Sequence, residues 1–407
     1  MIYNQTKYNN GWKTMKLNQL GTFARGKSKH RPRNDKKLFE GGGYPIVQTG
    51  EIKEANLYVN KHNAEYNEFG LSQSKLWEKD TLCITIAANI AETAILSYPM
   101  CFPDSIVGFN ANKKVSSELF MHYIFTYIKQ AIQKSASGSI QDNINIDYLE
   151  HLDFKIPDKE TQDKISNVLY NIDKKIENNI IIIDTLEDLT KTVFNYWFIQ
   201  FEFPNKNGKP YKSSGGKMID SEELKKQIPD GWKVSKIKDI IIEKEKSTNQ
   251  VGQAKSQNGE YPFFTSGSEI YETNEFLTDG RNCYLSTGGK GSVQYYSGKA
   301  SYSTDTWVVS GKSNYEDYLY LFIKSMDNTL DKKYFAGTGL KHLQKDLFKN
   351  TKVIIPNDEI LKKFNSISNS MLDKISSIYN ENKRLILLRD YLLPLLMNGQ
   401  VGFKGWY

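Results

Sequence analysis

The chain has 407 residues, with 54 lysines and arginines against 47 aspartates and glutamates, for a formal net charge of +7. That length exceeds what one hydrophobic core usually organises, so two domains are expected, and the modest basic excess favours an anionic partner without specifying it. Three unclustered cysteines, Cys83, Cys101 and Cys283, argue against structural zinc or a disulfide framework, and the longest aliphatic run, Ile180 to Ile183, is too short to span a bilayer, so a reducing cytoplasm is expected.

In chain order, the first signal is Gly11-Trp12-Lys13-Thr14-Met15-Lys16-Leu17, which returns as Gly231-Trp232-Lys233-Val234-Ser235-Lys236-Ile237, an offset of 220. Self-similarity on this scale marks duplicated domains. A basic stretch follows, with Arg25, Lys27, Lys29, Arg31, Arg33, Lys36 and Lys37 opposed only by Asp35. Such a stretch on a loop suits phosphates, or is a solvated basic loop. Gly43-Tyr44-Pro45-Ile46 reappears as Glu260-Tyr261-Pro262-Phe263 at an offset of 217. Thr81 to Ile86 and Asn282 to Thr287 read as strands bounded by turns. Asp104-Ser105-Ile106-Val107 corresponds to Asp305-Thr306-Trp307-Val308 at 201, and Phe154-Lys155-Ile156-Pro157 to Val353-Ile354-Ile355-Pro356 at 199. The second copy is thus shorter by roughly 20 residues, all upstream of its tail. Apolar patterns at Leu119 to Phe125 and Tyr318 to Ile323 predict helices packed under a sheet. Each copy is therefore expected to be α+β.

Each copy closes on an amphipathic rod. Ile165, Leu169, Ile172, Ile176, Ile183, Leu186, Val193 and Trp197 form a heptad seam, matched by Phe364, Ile367, Met371, Ile375, Ile378, Leu385, Leu388, Leu392 and Leu395. Some 40 residues at about 1.5 Å each make a rod of roughly 60 Å. Asn179 and Asn382 interrupt the seams, either as buried register-setting residues or on solvent faces. Pro157 can open the first rod, whereas Pro394 should kink or end the second. Two rods with one apolar stripe each are expected to pair antiparallel, with the globular domains at opposite ends and a pseudo-twofold axis through the pair. The expected boundaries are 1–157 and 231–355 for the globular domains, 158–203 and 356–400 for the long helices, and 204–230 for a linker. Such a two-fold reader matches a bipartite DNA site.

In the second copy, Gly288 and Gly289 allow close backbone approach, while Lys290, Ser292, Gln294, Tyr295 and Lys299 supply donors and a ring. The segment reads equally as a glycine-cornered hairpin of ordinary polarity. Its counterpart, Ala87 to Thr93, lacks the glycines. Gly138-Ser139-Ile140-Gln141 and Gly337-Thr338-Gly339-Leu340-Lys341 precede the rods as DNA-facing turns or connectors.

Catalytic signatures are missing from the sequence. No Pro-Pro pair provides the loop of an amine methyltransferase, and Gly288-Gly289-Lys290-Gly291-Ser292 lacks the pattern of a phosphate-binding motor loop. Glu51-Ile52-Lys53 has no upstream Pro-Asp to complete a nuclease motif. His30, His62, His122, His151 and His342 are scattered, so neither metal nor triad chemistry is indicated.

Over nearly its whole length the chain resembles the specificity subunit family of type I restriction-modification systems. The resemblance rests on Gly11-Trp12 and Pro229-Asp230-Gly231-Trp232, on Phe194 to Phe203 closing the first rod, on the Gly208 to Gly216 linker, and on Leu285 to Tyr296 followed by Ser303 to Thr306. It implies two target recognition domains that each read half of a split target on double-stranded DNA. It also implies long helices that dock methyltransferase subunits, two in number, with restriction subunits joining them. S-adenosylmethionine and ATP are then cofactors of those partners, this chain binding none and catalysing nothing. The rival reading is a coiled-coil scaffold whose globular heads bind a ligand other than nucleic acid.

Overall fold

The computed structural model describes residues 2–137, 144–255 and 259–403. The chain divides into two compact units, Met1–Asn178 with Asn382–Tyr407, and Asn179–Glu381. Among the described residues no helix is long and apolar enough to cross a membrane.

In the first unit, Lys13–Lys16 pairs antiparallel with Asp153–Ile156, Lys13 opposite Ile156. A five-stranded sheet runs Gly21–Arg25, Ile106–Ala111, Leu82–Thr85, Thr93–Leu96 and Tyr58–Val59. A four-stranded sheet runs Ala64–Tyr66, Tyr44–Ile46, Met100–Cys101 and Leu76–Trp77. Trp77 stacks on Phe102 at 4.8 Å between centroids, and a Cβ on Gly108 would meet the Trp77 ring at 2.6 Å, so only glycine fits there. The helix Glu118–Ser137 lays Phe120, Ile124, Phe125, Ile128 and Ile132 into the core. Its start is fixed by Glu118, which accepts the Ala111 N–H at 2.9 Å, and by Ser117, whose hydroxyl accepts the Phe120 N–H at 3.2 Å.

The second unit repeats this plan. Lys233–Lys236 pairs antiparallel with Lys352–Ile355, Lys233 opposite Ile355, the same register as in the first unit. Ile241–Glu243, Thr306–Gly311, Arg281–Ser286 and Val293–Ser297 form the main sheet, and Tyr261–Phe264 pairs antiparallel with Ile270–Thr273 and parallel with Ser301–Tyr302. In the first unit Tyr44–Ile46 has the matching neighbours, Ala64–Tyr66 antiparallel and Met100–Cys101 parallel. The repeats aligned by sequence therefore share these strand pairings. The first unit has additional pieces, the short helix Glu68–Ser72 and the strand Leu76–Trp77, where the second copy is shorter. All three cysteines are free and buried.

The long helices are Lys159–Phe194 and Asp358–Met397. A wide π-type turn, Asn195–Ile199, continues the first. Adjacent Trp197 and Phe198 are both buried there. The second helix carries Pro394 inside it and ends at Met397. Segments 204–230, between the first rod and the second globular copy, include a β-hairpin, Met218–Ser221 with Lys226–Pro229.

Within the first unit Ile165, Leu169 and Ile176 are buried and Ile172 is half-buried. Asp173, 3 % exposed, accepts from Tyr123 Oη at 2.7 Å and from Arg389 at 2.9 Å. Within the second unit Asn179 is buried and donates to Glu381 at 2.9 Å, while Thr190 donates to the Met371 sulfur at 3.4 Å. Ile183, Leu186, Met371 and Ile375 are half-buried beside fully buried Ile378. Asn382 and Leu385, in the first unit, are half-buried. Leu388 departs from the expected seam. It is 45 % exposed, and its neighbour Arg389 turns inward instead because buried Asp173 requires a cation.

Candidate nucleic-acid interface

The basic stretch of the first domain leaves the strand Gly21–Arg25 and runs along the Phe102 to Ile106 loop. The Gly26 N–H donates to the Ile106 carbonyl at 2.9 Å and the Lys27 N–H to the Phe102 carbonyl at 3.2 Å. Lys29 is anchored through its N–H to the Gln73 carbonyl at 3.1 Å. The side chains of Arg25, Lys27, Lys29, Arg31, Arg33, Lys36 and Lys37 are all exposed. Arg33 pairs with Asp104 at 2.6 Å, and Arg31 lies 3.9 Å from the same carboxylate. Asp35 accepts from His30 at 2.8 Å and from the Lys37 N–H at 3.1 Å, and these bonds, the His30 one first, hold its carboxyl below the usual range. The stretch is thus an ordered loop, part of whose charge is matched.

Asp104 brings a second segment alongside. The carbonyl of the next residue, Ser105, accepts the Ile86 N–H at 2.9 Å, and Ile86 opens the turn that ends at Glu92. The Thr85 hydroxyl donates to the Asn89 carbonyl across this turn and accepts the Glu92 N–H at 3.0 Å. Ala88 and Ala91 take left-handed φ values of 60° and 61°. The second domain has the same clasp. Ser286 Oγ donates to the Lys290 carbonyl and accepts the Ser292 N–H, both at 2.9 Å, with Gly289 at φ 80°. One hydroxyl thus closes both turns, and the first domain tolerates with alanines what the second builds with glycine. The sequence aligned the two stretches, but with the glycines missing from one it gave no sign that each closes on a hydroxyl.

Around the second turn the structure assembles segments far apart in the chain. The Gly289 N–H donates to the Lys341 carbonyl at 2.9 Å, Leu343 N–H to the Thr287 carbonyl at 3.0 Å, and Gly288 bridges to His342. The segment Gly337 to Lys341, read in sequence as a turn or a connector, is therefore joined to the Gly288 to Ser292 turn on one exposed surface. Gly138 to Gln141, its counterpart, lies outside the described residues. Lys290 is exposed, and Ser292 is half-buried with its N–H in the clasp. Gln294 donates to the Gly267 carbonyl at 2.9 Å, and Lys299 lies over the Phe276 ring at 4.6 Å. Tyr295 does not share this surface. Its hydroxyl donates to Asp317 at 2.9 Å and accepts from Arg281 at 2.8 Å, its ring packs on Tyr320, and burial pushes its pKa up. It is half-buried and packs against the core of the domain.

Among the described residues, no group of three or more potential metal-binding side chains is present. The description of the family whose model fits this chain is "Type I restriction modification DNA specificity domain", matched twice, over residues 9–188 and 229–386. The chain belongs to that family. As a specificity subunit it recognises DNA sequence and is a non-catalytic component of its system. The specificity subunit is 24 % identical to the type I restriction enzyme MjaIX specificity subunit of Methanocaldococcus jannaschii, over 96 % of this chain and 93 % of that one. It is 23 % identical to the HindI specificity subunit of Haemophilus influenzae, over 91 % and 97 %. In fold it is similar to the type I restriction-modification S subunit from M. genitalium, with TM-score 0.63, 17 % identity, and 97 % and 99 % of the two chains covered. The two matched stretches coincide with the two copies read from the sequence, and the scaffold reading has no support.

Proposed function

We propose that the specificity subunit reads a bipartite DNA target, one half-site per globular domain, with the two long helices paired antiparallel as the spacer between domains at opposite ends. The observation that carries this reading is the duplicated turn, closed by Thr85 in one domain and by Ser286 in the other and flanked in each by cationic residues. In the first domain Lys27, Lys29, Arg31, Arg33, Lys36 and Lys37 contact phosphates, Arg31 and Arg33 exchanging Asp104 for the backbone. In the second, Gly288, Gly289, Lys290, Ser292, Gln294 and Lys299 form the surface that meets the duplex. Phosphate contacts set the register and base-edge contacts set the sequence.

The helix contacts inside each unit support the antiparallel pairing, since Asp173 meets Arg389 in the first, while Asn179 meets Glu381 and Thr190 meets Met371 in the second. Methyltransferase subunits, two of them, dock on the rods, and restriction subunits join that complex; S-adenosylmethionine and ATP serve those partners, in the cytoplasm. The domains correspond to 1–157 and 231–355, with rods at 158–203 and 356–400 and a linker at 204–230. The test is to map methylated adenines in cells carrying this subunit with its partners, then to replace residues 1 to 150 with those of a relative. One half of the motif should change; a change in both halves, or in neither, rejects the assignment.

A further inference from the structure

Leu340 is 66 % exposed at the tip of the Gly337 to Lys341 turn. Isolated exposed leucines are common and need no explanation. This one is held in place. Gly337 takes φ 148°, and a Cβ there would lie 2.7 Å from the Leu340 carbonyl, so the tight turn depends on glycine. The bonds from Gly289 to Lys341 and from Leu343 to Thr287 fix the chain just beyond the tip. A Cβ on Gly288 would lie 3.7 Å from Leu340 Cδ2, which seats the leucine over the clasped turn. Lys290 and Lys341, next to the two turns in sequence, are exposed, Lys341 lying 3.7 Å from the Asp331 carboxylate, which it would exchange for a phosphate. A rigid apolar tip with two such cations fits a surface with anions at its edges and an apolar spot between them.

We propose that Leu340 is a specificity-determining residue that packs against the C5-methyl group of a thymine in the half-site read by the second domain. The inference rests on the reading that this pair of turns faces DNA. In the major groove the thymine methyl is the apolar group that base pairs display, and apolar side chains recognise it by contact. Lys290 and Lys341 hold the flanking phosphates and carry no base preference.

The experiment measures binding of the full-length subunit, in complex with its methyltransferase partners, to duplexes carrying the mapped motif. Each thymine of the second half-site is replaced in turn by deoxyuridine, which removes only the methyl. One replacement should weaken the wild type about fourfold, the equivalent of one buried methyl group, and leave Leu340→Ala unaffected. The proposal is overturned if the two proteins respond alike at every position, if the half-site contains no thymine, or if Leu340→Ala weakens all duplexes equally, as a wedge between base steps would. Lys290→Ala with Lys341→Ala separates the two levels. Reduced affinity with a shallower salt dependence supports a DNA-facing surface even where the thymine scan fails. Unchanged affinity and salt slope reject that surface, and Leu340 with it.

Discussion

His122 is buried within the first domain, its Nδ1 3.0 Å from the Thr93 hydroxyl, and desolvation, aided by the Arg389 charge, lowers its pKa to about 3. Because the folded value lies below the ordinary 6.5, the unfolded chain binds a proton that the folded chain refuses. Stability is therefore complete above pH 6.5 and declines as pH falls toward 3, by about 1.4 kcal/mol per unit from this group. Urea midpoints at pH 7.5 and 5.5 should differ accordingly, and His122→Gln should flatten the difference. Ser286→Ala removes both bonds of the second clasp and should cost about 1–2 kcal/mol, read as a lower urea midpoint. Ala88→Gly acts in the other direction, since φ 60° is strained for alanine; up to about 1 kcal/mol should be gained. Sequence patterning marked Lys290 and Gly289 as candidates, but not the inward turn of Tyr295 or the pairing of Arg33 with Asp104. Those partners, Asp317 and Asp104, lie far away in the chain, and periodicity carries no information about them.

The rods were the most legible elements, because a heptad repeats its signal many times while a loop contact occurs once. The pattern located buried Ile165, Leu169, Ile176 and Ile378 and raised the question of Asn179, which is buried and hydrogen-bonded to Glu381. It failed at Leu388, where a buried carboxylate drew Arg389 inward. Asp173→Ala should destabilise the first unit by about 1–3 kcal/mol, because it leaves the buried Tyr123 hydroxyl without its acceptor and Arg389 with Asp390 alone; the loss should appear as a lower melting temperature. Leu186→Asp places an unpaired charge on the half-buried seam and should impair assembly or solubility. Normal assembly and melting of that variant would refute the seam.

At the scale of the molecule, each helix also presents an apolar face outward. Ile180, Ile181 and Ile182 are 45 %, 56 % and 41 % exposed, and Ile386, Leu387 and Tyr391 are 39 %, 48 % and 66 % exposed. Contiguous exposed apolar residues on a rod suit a partner surface. Ile181→Lys should leave the melting temperature of the isolated subunit unchanged and weaken capture of the methyltransferase subunit; unchanged capture would clear that face of the role. The duplication was readable from repeated motifs at shrinking offsets, and the strand registers agree with it, Lys13 lying opposite Ile156 and Lys233 opposite Ile355. Which loops converge was not readable, because sheet closure brings residues 287 to 291 and 337 to 343 together across tens of intervening positions.

The two hydroxyl clasps span different lengths, Thr85 to Glu92 and Ser286 to Ser292. A loop pinned at both ends behaves like a cartridge in a fixed holder, since its contents can lengthen by a residue without disturbing the strands that grip it. Under the proposed reading of these turns as DNA-facing, exchanges a few codons long would then suffice to alter target preference, with no domain-sized recombination.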